Sequence, residues 1–247
     1  MTVSLDRVGH RYGAHQALAE VSLSISSGVT ALVGVNGAGK TTLLSIMSGG
    51  LRPTSGAVLI DGTDLYDRRA RKGVLRRVAL MPQDFGYLAS FRVHDFITYL
   101  GWMRGLSWRT ARRSTSAVLE QVGLGPRARS RVGELSGGML RRVALAQAII
   151  GGPGVLLLDE PTTGLDPEQR VIIRALIGEI ATERAVIMSS HVLEDVESLA
   201  SRVLVLHEGS VRFDGSTAAL CALSPFADEP HAAESAFLSL ISMNRGA

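Results

Sequence analysis

The run Gly34-Val35-Asn36-Gly37-Ala38-Gly39-Lys40-Thr41-Thr42 places glycines at its first, fourth and sixth positions and follows them with a lysine and two hydroxyl residues. Glycines let a backbone curl until successive N–H groups converge on one point, and a phosphate is the anion that fits there. The flanks supply the rest of the pattern. Val29 to Val35 (VTALVGV) is a short, β-branched apolar run that predicts a buried strand, and Thr41 to Met47 (TTLLSIM) has helical spacing and stops at Gly49 and Gly50. A strand, a glycine loop and a helix N-terminus in that order make a phosphate-binding loop, with Lys40 reaching the β- and γ-phosphates and the Thr41 hydroxyl ligating Mg²⁺. The choice of lysine is itself informative. Among 26 basic residues only Lys40 and Lys72 are lysine, so an arginine-rich sequence keeps the slimmer ammonium where a tight loop leaves no room for a guanidinium.

Length and composition bound the alternatives. At 247 residues and 46% apolar the chain can bury one large core. The expectation is a single domain over 1–247. The net charge of +3 is small, and the arginines are scattered or paired with acids, which predicts a solvated surface; Arg68, Arg69, Arg71 and Lys72 form the best candidate for a lipid- or nucleic-acid-facing patch. Cys221 is the only cysteine, so neither an intramolecular disulfide nor a cysteine metal site can form, in keeping with a reducing compartment. The start MTVSLDRVGHRYG has no apolar signal core, and the longest apolar run, Val143 to Leu158, is broken by Gly151, Gly152, Pro153 and Gly154. A cytoplasmic chain is expected.

Along the chain the pattern changes twice. Residues 3 to 30 read as short antiparallel strands with a turn at Gly13, and Tyr12 on that turn is close enough to the phosphate loop to stack on a base, although a lone tyrosine more often packs on the surface. Gly56 to Gly62 and Arg77 to Met81 predict further strands, the second ending at Pro82 and Gln83. From Asp84 to about Ile150 helical spacing takes over, in Val93 to Met103, Thr110 to Val122 and Met139 to Ile150, the last of these preceded by a second small-residue loop, Leu135-Ser136-Gly137-Gly138. Alternation of strand and helix then returns. Val155 to Leu158 runs into Asp159 and Glu160, which places two carboxylates at the C-terminal edge of a parallel sheet, where ligands of such folds sit. Pro167 to Ala181 is a helix, Ala185 to Met188 a strand leading into Ser189, Ser190 and His191, and Val203 to Leu206 the final core strand before the hairpin strand SVRFDG. The fold expected is α/β, a phosphate-loop nucleoside triphosphatase core with a mainly parallel sheet, a small N-terminal antiparallel β subdomain and an α-helical insertion at about 84–150.

Lys40, Gln83, the LSGG run, Asp159 with Glu160, Asp166 and His191, in that order, resemble the ATPase subunit of ATP-binding cassette (ABC) transporters over nearly the whole chain. The resemblance implies ATP and Mg²⁺ as cofactors. It makes Lys40, Glu160, His191 and Gln83 the candidate catalytic residues, with Glu160 accepting a proton from the attacking water and His191 holding the γ-phosphate and the water in line. It gives Mg²⁺ to Thr41, Gln83 and Asp159, and the nucleotide to Tyr12, stacked on adenine, and to Asn36, Gly37, Ala38, Gly39, Lys40, Thr41 and Thr42. In such proteins the signature loop of one subunit covers the phosphates held by another, so Ser136 and Gly138 would serve a second ATPase subunit, the same chain or a related one, and Asp166 would lie in the segment linking the two sites.

One residue departs from the family pattern: Met139 stands where glutamine usually follows LSGG. LSGGM followed by Arg141 and Arg142, together with the tail segment Glu234 to Leu238 (ESAFL), looks most like the exporter, ABC-2 type branch, whose membrane-spanning permease is a separate chain. Between Phe85 and Met103 nine aromatic or long apolar residues gather in a protein that is 5% aromatic. The surplus over the core is expected to line a groove, edged by Gln83, that takes a permease helix at the inner face of the cell membrane. Two other functions use the same motifs. A soluble cassette ATPase acting on nucleic acid or the ribosome usually carries coiled-coil, zinc or tandem-cassette insertions that this sequence does not show, so no nucleic-acid partner is expected. A switch that binds without hydrolysing would not need both Glu160 and His191.

Overall fold

In the computed structural model, residues 1–224 and 232–242 are described. The chain opens with two long antiparallel strands, β1 (Val3–Tyr12) and β2 (His15–Ile25), and then enters the core through β3 (Gly28–Val33) and α1 (Lys40–Met47). There follow β4 (Ser55–Ile60), β5 (Thr63–Asp64), α2 (Arg71–Leu75) and β6 (Val78–Met81). The helical segment is α3 (Val93–Met103), α4 (Trp108–Gln121) and α5 (Gly137–Ile149), with two short 3₁₀ turns between α4 and α5. The second half runs β7 (Val155–Asp159), α6 (Pro167–Ala181), β8 (Ala185–Ser190), α7 (Leu193–Leu199), β9 (Arg202–His207), β10 (Ser210–Ser216), α8 (Thr217–Cys221) and α9 (Ala232–Ser242).

Two sheets result. The smaller is antiparallel, in the order β2-β1-β4-β5, and the larger runs β10-β9-β3-β8-β7-β6, parallel throughout except for β10. Alternation along the parallel strands assigns each residue to one of two cores. Ala31, Val33, Leu156, Leu158, Val186, Met188, Val203 and Val205 face the core shared with α3, α5 and α6, whereas Leu32, Leu157, Ile187, Leu204 and Leu206 face the core shared with α1 and the antiparallel sheet. Because both faces are buried, these strands read as unbroken apolar runs.

The parallel register brings the functional segments to one edge: Val33 pairs with Ser190, and Asp159 with Ser189. The C-terminal ends of β3, β7 and β8, and the loops that leave them, therefore lie side by side.

Several details differ from the sequence reading. The N-terminal bursts are two strands of 10 and 11 residues, bent by register shifts between Leu5 and Arg11 that break a clean alternation. Helix α2 is too short to show a period, and its basic neighbourhood is partly structural: the Arg71 guanidinium donates to the Gly49 carbonyl (2.9 Å) and lies 5.4 Å from the centre of the Tyr66 ring. Helix α5 packs on α3 and α4 and also on β6 and α6, so it joins the helical segment to the sheet.

Candidate functional site

The phosphate loop is shaped by two close approaches. A Cβ on Gly39 (φ 103°) would sit 2.6 Å from the Ala17 carbonyl oxygen, and one on Gly34 would sit 2.4 Å from that of Leu206. Only glycine fits either place, and Gly37 (φ 82°) completes the left-handed turn. Lys40 is buried within the loop it follows: its Nζ donates to the Gly34 (2.6 Å) and Val35 (3.2 Å) carbonyls. Burial pushes its pKa below the ordinary 10.5, while Glu160 and Asp159 oppose that shift.

At the end of β7 the two carboxylates have different surroundings. Asp159 is buried; its Oδ1 accepts from Ser189 Oγ (2.6 Å) and its Oδ2 from Thr41 Oγ1 (3.2 Å). Glu160 follows in the left-handed region (φ 49°), its N–H donating to the same Ser189 oxygen (2.8 Å). A non-glycine residue in that conformation stores strain, and here the strain aims the carboxylate out of the strand. Its Oε2 collects three groups: Thr163 Oγ1 at 2.9 Å, His191 Nδ1 at 3.1 Å and Gln83 Nε2 at 3.5 Å. The site thus assembles residues from the ends of β3, β6, β7 and β8.

Two adjoining cavities lie over these groups. One, of about 300 Å³, is lined by Tyr12, His15 and Ala17, by Asn36, Gly37, Ala38, Gly39, Lys40, Thr41 and Thr42, and by Gln83 and Glu160. Tyr12 is exposed at the tip of β1, edge-on to His10 with ring centres 4.6 Å apart, so one face of its ring is available to a planar base. The second, of about 670 Å³, has Gln83, Glu160, Thr163 and His191 on its walls together with Phe237 from α9.

The remaining sequence candidates lie apart from both cavities. Ser136 caps α5, its Oγ accepting from the Met139 N–H (3.4 Å), and Gly138 is buried where a Cβ would fall 2.3 Å from Gln169 Oε1. Asp166 caps α6, its Oδ1 accepting from the Gln169 N–H (2.8 Å). Met139 is partly buried against the larger hydrophobic core, so its side chain packs where an amide would need a partner.

Three contributors to the geometry had no role at the site in the sequence reading. Ser189 ties Asp159 to Glu160, Thr163 fixes the Glu160 carboxylate, and Arg141 from α5 donates to the carbonyls of Gln83 (2.6 Å), Glu160 (2.9 Å) and Thr163 (3.3 Å). A serine two residues before a histidine carries no distinctive signal, and an arginine that binds main-chain carbonyls 19 to 58 residues away leaves none in the sequence.

A family model described as ABC transporter matches residues 18–163. The chain is 35% identical over 86% of its length to an uncharacterized ABC transporter ATP-binding protein, YxlF, of Bacillus subtilis, covering 70% of that protein. It is 40% identical over 87% of its length to the energy-coupling factor transporter ATP-binding protein EcfA2 of Symbiobacterium thermophilum, and 36% identical over 89% to the Nod factor export ATP-binding protein I of Paraburkholderia xenovorans, covering 78% and 72% of them. In fold it is similar to a solved ATP-binding subunit of an ABC transporter, with a TM-score of 0.83 at 24% identity over 97% of this chain and 99% of that one. The chain belongs to the ABC transporter family, and within it is an ATP-binding subunit with ATPase activity.

Proposed function

We propose that this subunit hydrolyses ATP with Mg²⁺ at the edge formed by β3, β7 and β8, and that the cycle drives a membrane-spanning permease to export a substrate. The observation that carries the proposal is the juxtaposition of Thr41, Asp159, Glu160 and His191, drawn from three separate strand ends into contact distance. Phosphates would lie against the N–H groups of Asn36 to Thr42, with Lys40 turning from its own loop carbonyls to the β- and γ-oxygens. Tyr12 would stack on the base.

Thr41 and Asp159 fit Mg²⁺, since a hydroxyl and a carboxylate oxygen 3.2 Å apart are hard donors facing the phosphate loop. Among the described residues no three His, Cys, Asp or Glu side chains gather as a cage, which suits a cation held partly by substrate phosphates, with Gln83 beside it. When bound, Mg²⁺ supplies charge neutralisation at the phosphate oxygens. Glu160 is the base for the attacking water, aimed by its three donors, and His191 moves between Glu160 and the γ-phosphate. Replacing Glu160 with Gln is expected to keep ATP binding and lower turnover about a hundredfold or more. Near-normal hydrolysis by Glu160→Gln would remove it from the mechanism.

We propose further that the chain acts as one cassette over its length and that two subunits, two copies of this chain, pair head to tail. Ser136, Gly138 and Asp166 would then meet the nucleotide and catalytic edge of the partner, a role supported by their distance from both cavities in their own chain. A solved cassette of similar fold (TM-score 0.76, 24% identical over 87% of this chain and 98% of that one) is a dimer in a post-hydrolysis state with ADP and Pi.

Of the nine apolar residues between Phe85 and Met103, Phe96 is core and Met103 lines a groove between the ends of α1, α2 and α3 and strand β6. For the permease, the reading from the sequence is supported by a second groove, of about 310 Å³, with Gln83, Phe85 and Tyr87 on its walls beside Leu140 and Leu165. No helix among the described residues is long and apolar enough to cross a membrane, so a separate chain would form the path, its cytoplasmic helix seated in this groove. Export is supported by the run Leu135 to Arg142 (LSGGMLRR) and by similarity to Nod factor export proteins.

A further inference from the structure

Charge is unevenly distributed over this protein. Residues 88–131 carry eight arginines against Asp95 and Glu120, a net of +6 in a chain whose total is +3, so the remainder is acidic. On α4 the residues Ala111, Thr115 and Leu119 face the core, while Arg109, Arg112 and Arg113 share the opposite, exposed face at i, i+3 and i+4 spacing. None of the three has a hydrogen-bond or ion-pair partner among the described residues, although arginines elsewhere on the surface, such as Arg174 and Arg202, do. The fold therefore leaves three adjacent guanidinium groups uncompensated.

The same edge carries both tryptophans of the protein. Trp102 closes α3 and Trp108 opens α4, on either side of a four-residue turn, and they are 52% and 53% exposed. Gly101 packs against Ala111 across that turn, where a Cβ would lie 3.2 Å from the Ala111 Cβ, so the turn is held tightly and both indoles are left outside. Tryptophans with an apolar body and a polar N–H, ringed by arginines, have the composition of a surface that rests in the interface of a bilayer. A protein groove would bury the indoles but has no need for three unpaired cations beside them; a nucleic acid would use the cations and stack on the rings. Anionic headgroups satisfy both features at once, and arginine stems can lie along the acyl boundary with their heads in the headgroup layer.

We infer that the α3–α4 edge, through Trp102, Trp108, Arg109, Arg112 and Arg113, binds the surface of an anionic lipid bilayer directly. The contact is separate from the permease groove and does not depend on a permease. It would orient the subunit before a membrane partner is engaged and add to that affinity afterwards.

The test uses the full chain, without any membrane protein, and vesicles of phosphatidylcholine with or without phosphatidylglycerol. Because Trp102 and Trp108 are the only tryptophans, intrinsic emission reports this edge alone. The expected result is co-sedimentation with the anionic vesicles only, weakening as salt is raised, with a blue shift of the emission. The triple variant R109E/R112E/R113E should lose about a hundredfold in partitioning, since each basic residue near such a surface contributes about fivefold. Its circular dichroism and ATP binding should be unchanged, because these side chains hold nothing in the fold. Failure to bind anionic vesicles, unaltered binding by the triple variant, or stronger binding to RNA than to vesicles would overturn the inference. So would the same blue shift on concentrating the protein without lipid, which would make the edge a contact between copies of the chain.

Discussion

Two loops in this protein are written in nearly the same terms, small residues leading into a helix, and they fold to different purposes. In the phosphate loop the residue before α1 is Gly39, left-handed at φ 103° and with no side chain to cap the helix, so the first N–H groups of α1 remain free to meet an anion. Before α5 the corresponding residue is Ser136, in extended conformation, whose hydroxyl takes the Met139 N–H. The first loop is enclosed by β3, β2 and β9 and opens onto a cavity lined by Lys40 and Glu160; in the second, Ser136 and Gly137 are exposed and neither lines that cavity, although Gly137 borders a groove with Gln83 and Thr163. The difference teaches that a helix N-terminus becomes an anion site when its donors are left unsatisfied and walled in. A capped, exposed terminus is ready only for what another molecule brings to it.

The contrast can be broken most sharply at Ser136. Putting arginine there should reduce turnover to background while leaving ATP affinity of the isolated subunit unchanged, since bulk and charge enter a seam between subunits and nothing in the chain's own cavity. If nucleotide titration showed affinity falling in step with turnover, the second loop would be acting within its own chain. Gly39→Ala comes next: the left-handed backbone and the Ala17 carbonyl 2.6 Å from the new Cβ should weaken ATP binding by about a hundredfold, or ~3 kcal/mol. Gly137→Ala, where a Cβ meets nothing within 4 Å, should bind as the parent does. Equal losses in the two variants would erase the distinction between the loops.

The smallest effects belong to the capping side of the comparison. Met139 is packed on the core, so Met139→Gln should alter turnover by no more than about threefold; a gain of several orders of magnitude would mean that the natural loop is impaired and pairs with a different subunit. Ser136→Ala should cost about 1 kcal/mol, lowering the melting temperature by about 2–4 °C. Calorimetry would separate this from any change in turnover, and a cap that proved neutral would free Ser136 entirely for the partner.

Much of the fold was legible because its signals are local. Short apolar runs marked β3, β6, β7, β8 and β9 to within two residues, and α3 and α6 fall on their expected limits. Where the signal was not local the reading fell short. The bulges of β1 hide its alternation, and α2 is shorter than one and a half turns.

By itself the sequence determined the phosphate loop, because a glycine cradle, a lysine and a threonine at fixed spacing are chemistry carried within nine residues. It also determined that two carboxylates leave one strand together. Only the tertiary structure decided how those groups meet. Thr41 reaches Asp159 across 118 residues, Ser189 reaches back 30 to hold Asp159 and 29 to hold Glu160, and Arg141 draws the end of β6 and the end of β7 onto α5. Such contacts follow from strand register, and register is set by which apolar faces must be buried in common, a condition on the whole chain that no single stretch can express.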